Sequence, residues 1–330
     1  MRFIVFGAGA VGGVIGARLA QHGHAVVLIG RGRQLAAIRE HGLRVESPGD
    51  SATVQLPIVE HPRELQWTSG DVVLLAMKSQ DTAAALSDLA AVAPAGIPVV
   101  CVQNGVENER LASRWFEHVY GICVMCPAGY LTPGTVQAWS YPISGLLDIG
   151  RYPSGIDDTA KAIAAALATS TFQSEVRPDI MRWKYGKLVT NLGNAAEALY
   201  GPASRSGRVT ALAREEGVAC LRAAGIDFVG ESEDKSRRGD LLRIGTISGQ
   251  ARQGGSTWQS LHRQTHHIEA DYLNGEIVLL GRGHAVPTPV NAVLQRLANQ
   301  LAASGRPPGS MSAAEVLSHL PPQLRMPNES

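Results

Sequence analysis

The stretch that decides the fold is MRFIVFGAGAVGGVIGARLAQHGHAVVLIGRGRQ, residues 1–34. A short apolar run leads into three glycines, Gly7, Gly9 and Gly12, and a segment with helical spacing then leads to a second apolar run, HAVVLIG. An apolar strand, a glycine-rich turn, an amphipathic helix and a second strand within about 30 residues are typical of the first β–α–β unit of a parallel sheet. We therefore expect a parallel sheet that begins at the N-terminus.

The glycine spacing predicts a cradle for a dinucleotide. The first glycine permits the tight turn, the second lets the backbone approach a pyrophosphate, and the third lets helix and strand pack closely. The helix N-terminus then offers N–H groups and the positive end of its dipole to the phosphates. The predicted cofactor-binding residues of this turn are Gly7, Ala8, Gly9, Ala10, Val11 and Gly12. A tight turn without a ligand is the alternative.

The end of the second strand indicates which dinucleotide binds. A carboxylate there would accept hydrogen bonds from the ribose hydroxyls of NAD, but the sequence continues IGRGRQ and has no acidic residue before Glu40. Arg31 and Arg33 can instead pair with a 2′-phosphate, which a carboxylate would repel. We therefore predict NADP(H) as the cofactor, with Arg31 at the phosphate. Two solvated loop arginines are the alternative.

Strand-like and helical segments alternate up to about residue 175. The runs FIVF, AVVLI, VVLLAM and IPVVCVQ are apolar on both faces, as strands covered by helices must be. We expect an α/β domain with a Rossmann-type doubly wound sheet at residues 1–177. Residues 178–330 are mostly helical and predict an all-α second domain, in which the Pro-rich tail from about residue 305 is loosely attached.

Composition and charge exclude several classes of protein. With 45% hydrophobic and 18% charged residues the chain is globular, and a net charge of +1 gives no reason to expect nucleic acid or an anionic membrane as partner. No run of about 18 apolar residues occurs, so we expect no membrane span. Four cysteines are too few for a disulfide framework and fit a reducing cytoplasm. Cys123 and Cys126 form a CxxC pair that no second pair completes, so we expect no metal site.

Polar residues follow two later strands of the predicted sheet. Lys78 follows VVLLAM, and Asn104-Gly105 follows IPVVCVQ. Doubly wound sheets bind ligands at the carboxyl ends of their strands. We therefore expect Lys78 to reach cofactor phosphate or ribose, and Asn104 to contact the nicotinamide ribose or a substrate carboxylate. A solvated loop charge is the alternative for Lys78.

Two segments of the helical half carry candidate acid–base groups. Lys187 and Asn191 are four residues apart in DIMRWKYGKLVTNLGNA and share one helix face, and Glu269 is expected on another helix. A lysine and a carboxylate in a cleft can act as a general acid and its orienting partner. Read singly, each is more often a surface charge than a catalytic group. The histidines, including His266 and His267, have no metal-ligand spacing and are interpreted as surface or packing residues.

Over about residues 1–300 the sequence resembles the ketopantoate reductases (2-dehydropantoate 2-reductases). The resemblance rests on GAGAVGG, Lys78, QNG at 103–105, RW…GKLVTN at 182–191, and IEADYLNGEIV…GHAVPTPVN at 268–291. It implies an NADPH-dependent reductase of a 2-oxo acid in pantothenate and coenzyme A synthesis. It also implies a Rossmann domain followed by a helical domain, with the active site in the cleft between them. A homodimer is a further expectation from the resemblance.

The resemblance also implies roles for individual residues. Lys187 would protonate the carbonyl oxygen, with Glu269 beside it and near the nicotinamide ribose. Asn104 would touch cofactor and substrate, and Asn191 would bind the substrate. Ser256 or Thr257 would be the substrate-binding hydroxyl, and ungapped counting back from Glu269 selects Thr257.

Two substrate-side asparagines of the family pattern are missing. The chain has Ala195-Ala196 where the family has asparagine and proline, an asparagine one place early at Asn194, and Arg205 where a further asparagine is usual. Reductase chemistry is therefore better supported than ketopantoate as the substrate, because lost hydrogen bonds can change substrate preference by orders of magnitude.

Three alternatives remain open. The chain could be a reductase of the same family that acts on a different 2-oxo acid. It could be a β-hydroxy acid dehydrogenase of the 6-phosphogluconate type, although that group places its lysine and asparagine three residues apart rather than four. It could also be an NADP-binding sensor without turnover, although such a protein has no use for the lysine and the glutamate.

Overall fold

The opening apolar run forms a central strand of an eight-stranded sheet. A computed structural model describes residues 1–325. The last five residues of the predicted second domain, 326–330, lie outside the described residues. The strands are β1 (Arg2–Phe6), β2 (Ala25–Ile29), β3 (Leu43–Ser47), β4 (Asp50–Val54), β5 (Ile58–Val59), β6 (Asp71–Leu75), β7 (Val99–Cys101), β8 (Val119–Met125), β9 (Ala128–Gly129), β10 (Thr135–Ala138), β11 (Gly145–Arg151) and β12 (Phe172–Gln173).

Helices cover this sheet and make up most of the rest of the described chain. They are α1 (Ala10–Gln21), α2 (Gly32–His41), α3 (Thr82–Ala90), α4 (Asn108–Ala112), α5 (Asp158–Ala168), α6 (Ile180–Asn191), α7 (Gly193–Tyr200), α8 (Arg208–Ala223), α9 (Glu231–Arg238), α10 (Ser256–His262), α11 (Asn274–Gly283), α12 (Pro289–Ala303), α13 (Ala313–Ser318) and α14 (Pro322–Arg325). None of those within residues 1–325 combines the length and apolarity that a bilayer crossing requires.

The large sheet is doubly wound, as the alternation of strands and helices predicts. Its strand order is β12-β11-β8-β7-β6-β1-β2-β5. Strand β1 pairs in parallel with β2 on one side and with β6 on the other, so the direction of winding changes between β1 and β6. Ligands of doubly wound sheets bind at such a switch point, outside the carboxyl ends of the strands. The glycine turn follows β1, and the segments with Lys78 and Asn104 follow β6 and β7.

The apolar strands are buried on both faces. All five residues of β6 and all seven of β8 are buried, because helices cover one face and a second sheet with α1 covers part of the other. That second sheet has the order β4-β3-β10-β9, and its β3–β4 hairpin turns at Pro48-Gly49. The segment GLRVESPGDSATVQLPIVE, residues 42–60, predicts a short antiparallel excursion around its Pro-Gly-Asp turn, and this hairpin confirms it.

The chain divides into two compact units whose limits differ from the predicted boundary near residue 177. The first unit comprises residues 1–184 and 230–252, and the second comprises 185–229 and 253 onward. Residues 230–252 belong to the first unit because Arg237 donates two hydrogen bonds to Asp148, at 2.6 and 2.8 Å. Arg182 likewise donates to both carboxylate oxygens of Glu233, at 2.7 and 2.8 Å. Charge partners so distant in sequence leave no periodic signal.

The second unit is helical, as predicted, but its tail is packed rather than loose. The amides of Gly309 and Met311 donate to the carbonyls of Ala198 and Leu199, at 2.9 and 3.1 Å. Val316 and Leu320 are fully buried. The Pro-rich composition suggested weak attachment, but two apolar side chains and a capped helix at Ser312 hold the segment up to residue 325.

Two buried asparagines in the segment 268–291 join the helices of the second unit. The Asn274 amide donates to the carbonyl of Leu192 at 3.1 Å and to Asn291 Oδ1 at 2.9 Å. The Asn291 amide donates to the carbonyl of Ala213 at 2.9 Å and to Glu216 Oε2 at 2.8 Å. Part of the family-like segment therefore has a structural role, because these amides tie α11 to the residue that follows α6 and tie α12 to α8.

We expect Asn274→Ala to lower the free energy of unfolding by about 1–3 kcal/mol, because the Leu192 carbonyl and Asn291 lose a donor inside the protein. Urea unfolding measures the change. Asn299→Ala is the matched control, since Asn299 donates to Asp271 at the surface and its loss should cost less than about 0.5 kcal/mol. Equal losses in the two variants would contradict a structural role for Asn274.

Candidate active site

Gly7 and Gly12 lie where the backbone leaves no room for a side chain. Gly7 has φ +112°, and a Cβ on it would lie 2.6 Å from the amide nitrogen of Met77. A Cβ on Gly12 would overlap the Gly7 carbonyl oxygen and lie 2.8 Å from Ala76 Cβ. The close approach of α1 to β1 and to the end of β6 therefore requires both glycines.

Gly9 differs, because open space lies above it. It is the N-cap of α1, its backbone is extended at φ −83°, and a Cβ on it would meet nothing within 4 Å. The first hydrogen bond of the helix is donated by Gly13 N to Gly9 O at 2.8 Å. The N–H groups of Ala10 and Val11, in the first turn, therefore have no acceptor within the helix. No acidic side chain lies in that turn. The arrangement suits a pyrophosphate.

A cavity of about 270 Å³ lies in front of this turn. It is lined by Phe6, Gly7, Ala8, Gly9, Ile29, Gly30, Arg31, Gln34, Met77, Asp81 and Tyr130. The structure thus brings Arg31 to the glycine turn, as the prediction of a common binding site requires.

The buried Gln34 supports the turn from below, and sequence reasoning missed it. Its amide nitrogen donates to the Ala8 carbonyl at 2.8 Å, and its amide oxygen accepts from Gly134 N at 2.7 Å. The second contact spans 100 residues of sequence. A glutamine in the first turn of a helix looks like any surface residue, so no local signal marks this role.

A second cavity, of about 410 Å³, also reaches Arg31. Its lining consists of Phe6, Arg31, Glu60, His61, Pro62, Arg63, Glu64 and Asp88. Arg31 and Arg33 are both exposed, but Arg33 lines neither cavity. Arg63, which sequence reasoning did not select, is the second guanidinium of this cavity, because the chain after β5 returns it to the edge where β2 ends.

The two polar segments after β6 and β7 are tied together by buried hydrogen bonds. The Asn104 carbonyl accepts from Ser79 Oγ at 3.2 Å and from the Asn108 amide at 3.1 Å. Thr82 Oγ1 donates to Asn108 Oδ1 at 2.8 Å and accepts from the Gln103 amide at 2.7 Å. The structure thus joins the backbone beside Lys78 to that of Asn104. Helix α4 begins four residues after Asn104, at Asn108.

A buried ion pair lies beneath the same segment. Lys184 Nζ lies 2.5 Å from Glu109 Oε1 and donates to the Gln103 carbonyl at 3.0 Å. Both side chains are at most 2% exposed. Burial raises the pKa of Glu109, and the neighbouring ammonium of Lys184 only partly offsets this. Sequence reasoning did not select either residue, since a single lysine and a single glutamate are most often surface charges.

Lys187 and Asn191 lie on α6, as predicted. Both are half-buried, and both make further polar contacts within the structure. Helix α6 begins in the first unit and continues into the second, where these two residues lie. The first part of the helix carries the buried Trp183, and the guanidinium of Arg177, which precedes the helix, stacks on its ring at 4.3 Å from the ring centre.

Glu269 and Thr257 are both buried, at 4% exposure. Glu269 is the first residue of a 3-10 turn, Glu269–Tyr272, rather than part of the α-helix that we expected. The turn is too short for a helical repeat, and the next helix begins only at Asn274 because Leu273 has non-helical dihedral angles. Thr257 lies in the first turn of α10.

The positions of the two missing asparagines have different environments. Ala195 is buried in the apolar interior. Arg205 Nη2 lies 2.6 Å from Glu197 Oε2, and the same oxygen accepts from Gly255 N at 3.0 Å. Glu197, another residue that sequence reasoning missed, thereby connects Arg205 to the start of the helix with Thr257.

The cysteines and histidines do not form a metal centre in the described part of the chain. Within residues 1–325 no group of three or more His, Cys, Asp or Glu side chains is placed to hold a metal ion. Cys123 Sγ donates to the Trp183 carbonyl at 3.7 Å, and Cys126 Sγ donates to the Ser144 carbonyl at 3.5 Å. Both thiols thus make ordinary packing contacts.

Comparison with known proteins gives a consistent result. The family models described as "Ketopantoate reductase PanE/ApbA" and its C-terminal part match residues 3–153 and 179–302. A 2-dehydropantoate 2-reductase of Halobacterium salinarum is 30% identical over 90% of this chain and 97% of its own length. A ketopantoate reductase structure from Ralstonia eutropha JMP134 aligns with TM-score 0.76, at 28% identity, over 92% of this chain and 99% of its own. A D-mandelate dehydrogenase structure with NADH and anilino(oxo)acetate has the same TM-score and coverage at 23% identity, and shows the shared fold.

Proposed function

Since the chain belongs to the ketopantoate reductase family, we propose that it reduces a 2-oxo acid to a 2-hydroxy acid with NADPH, and that the substrate is 2-dehydropantoate. The observation that carries the proposal is the glycine turn. Two glycines there have no room for a Cβ, while Gly9 faces open space at a helix N-terminus. The relatives named 2-dehydropantoate 2-reductase support the choice of substrate.

The residues present fit a dinucleotide. The backbone from Gly7 to Gly12 would hold the pyrophosphate, and Arg31 would hold the 2′-phosphate of the adenosine ribose. Lys78 and Asn104, at the carboxyl ends of β6 and β7, would hold the nicotinamide half. When bound in its reduced form, the nicotinamide supplies a hydride to the carbonyl carbon.

The protein supplies the proton and the electrostatic support. In this proposal the Lys187 ammonium donates a proton to the carbonyl oxygen, which becomes the hydroxyl of the product. Before the transfer it stabilises the negative charge that develops on that oxygen. Glu269 orients the ammonium and contacts the nicotinamide ribose, while Asn104, Asn191 and Thr257 hold the substrate.

Arg31→Ala is expected to change cofactor preference. Loss of a charge-assisted hydrogen bond to the 2′-phosphate should raise KM for NADPH about 10- to 100-fold and leave KM for NADH nearly unchanged. Steady-state kinetics with both cofactors measure the ratio. Arg33→Ala is the matched control, since Arg33 lines neither cavity, and its ratio should match the wild type. An unchanged ratio in Arg31→Ala would remove Arg31 from this role.

A second candidate function is reduction of a different 2-oxo acid by the same site. The Arg205–Glu197 pair favours it, because a charged pair lies where the family has a neutral amide. A panel of 2-oxo acids with varied tails, assayed by NADPH consumption, distinguishes the two candidates. A kcat/KM highest for 2-dehydropantoate supports the first, and a higher value for another member supports the second.

Two further measurements, combined with this assay, test the remaining alternatives. Tryptophan fluorescence measures NADPH binding independently of turnover. Binding without reduction of any 2-oxo acid would identify a sensor. Oxidation of 3-hydroxy acids without reduction of 2-oxo acids would identify a β-hydroxy acid dehydrogenase.

A further inference from the structure

We propose that Lys184 is a positioning residue of the reductase: its buried ion pair with Glu109 holds the backbone that presents Asn104 and anchors the helix that carries Lys187. The inference rests on the proposed function, since it concerns residues assigned there. Lys184 itself touches neither cofactor nor substrate in this account.

The pair is placed to control a backbone position. Lys184 Nζ donates to the Gln103 carbonyl at 3.0 Å, and Gln103 immediately precedes Asn104. On the other side of Asn104, its own carbonyl accepts from Asn108 and Ser79. The peptide groups on both sides of Asn104 are thus fixed by buried donors, and one of those donors is Lys184.

Lys184 also lies on α6, the helix that carries Lys187. Helix α6 runs without interruption from Ile180 to Asn191, so Lys184 and Lys187 are three residues apart on the same helix. The contacts of Lys184 with Glu109 and with the Gln103 carbonyl therefore fix the first turns of α6 relative to the segment that contains Asn104. Within the first unit, one contact therefore fixes both the backbone that presents Asn104 and the first turns of the helix on which Lys187 lies, and catalytic groups lose much of their effect when they are misplaced by as little as about 1 Å.

The surrounding elements make room for this pair. Gly121 lies on β8, and a Cβ there would lie 3.0 Å from Glu109 Oε1 and 3.3 Å from Lys184 Cδ. Both charged side chains are at most 2% exposed, so each loses nearly all of its hydration. A buried ion pair is a poor source of stability compared with apolar packing of the same volume, which favours a positional role.

The test is the double variant Lys184→Met/Glu109→Met, which removes the pair without leaving an unpaired buried charge. We expect kcat to fall about 10- to 100-fold in a variant that still folds and still binds NADPH. Amide hydrogen exchange at residues 103–109 should become faster. Arg2→Met/Asp71→Leu is the control, since that pair joins the amino ends of β1 and β6, at the opposite edge of the sheet. It should leave kcat unchanged.

Gly121→Ala provides a second, milder test should the double variant fail to fold. Its methyl group would displace the pair by a few tenths of an ångström and keep both charges. We expect a lower kcat with little change in KM. If kcat and exchange at 103–109 both match the wild type in either folded variant, the inference is wrong. A wild-type protein that reduces no 2-oxo acid would instead contradict the proposed function, and the exchange measurement would still report on the pair.

Discussion

Replacing Lys187 with alanine is expected to lower kcat about 10²- to 10⁴-fold, the range that a positioned general acid contributes. The ammonium would be lost both as the proton donor and as the positive charge beside the developing alkoxide. The affinity for NADPH should stay near the wild-type value, because the glycine turn and Arg31 are unchanged. Steady-state kinetics give kcat, and tryptophan fluorescence gives the Kd.

Lys161→Ala is the control for this experiment. Lys161 lies on α5, its side chain is 60% exposed, and it pairs with Asp158 one turn earlier. Its loss should leave kcat unchanged, because Lys161 has no role in the proposed site and an exposed ion pair contributes little to the free energy of unfolding. If Lys187→Ala kept most of its activity, the proton donor would have to be another group, and Glu269 would be the next to test.

Replacing Gly9 with valine should abolish productive cofactor binding without harming the fold. The wild-type structure has open space around the position of the Cβ, and an extended backbone at φ −83° accommodates a β-branched residue. The side chain would occupy the room that a pyrophosphate needs. We expect the Kd for NADPH to rise on the order of 100-fold, while the melting temperature changes little.

Gly70→Val is the matched control. A Cβ on Gly70 also meets nothing within 4 Å, but this glycine precedes β6 at the amino edge of the sheet. Both variants should fold, and only Gly9→Val should lose the cofactor. Equal affinity in Gly9→Val and wild type would show that the glycine turn is a packing feature, and the assignment of the cradle would fail.

The contrast between Gly9 and Gly12 explains why the motif is informative. Valine at position 12 would overlap the Gly7 carbonyl, so its effect on binding could not be separated from its effect on folding. The packing of α1 on the sheet explains Gly7 and Gly12, but no packing contact explains Gly9. The proposed cofactor would account for Gly9, because a pyrophosphate there would approach the backbone.

Much of the first unit could be predicted from residues 1–34 and the apolar runs that follow. Strands β1, β2, β6 and β7 overlap the apolar runs FIVF, AVVLI, VVLLAM and IPVVCVQ, and α1 lies between the first two of them, as expected. These elements were predictable because burial on both faces of a parallel sheet demands continuous apolar runs. The turn after β1 was predictable for a different reason, since only glycine satisfies its backbone.

Other features followed the pattern less well. Glu269 was expected on a helix, but it lies in a 3-10 turn that ends before α11 begins at Asn274. The described tail was expected to be loose, but it packs. In the tail, local composition was overridden by hydrogen bonds to the carbonyls of Ala198 and Leu199, which are distant in sequence and which a single sequence does not display.

By itself, the sequence determined the doubly wound sheet, the helical second half, the glycine turn and the cationic end of β2. These depend on side-chain size, periodicity and backbone freedom, which are local properties. Only the tertiary structure decided that Gln34 supports the turn through Gly134, that Arg63 joins the cavity at Arg31, and that Lys184 pairs with Glu109. A buried charge and an exposed one are the same letter in a sequence, and only the fold brings its partner to within hydrogen-bonding distance.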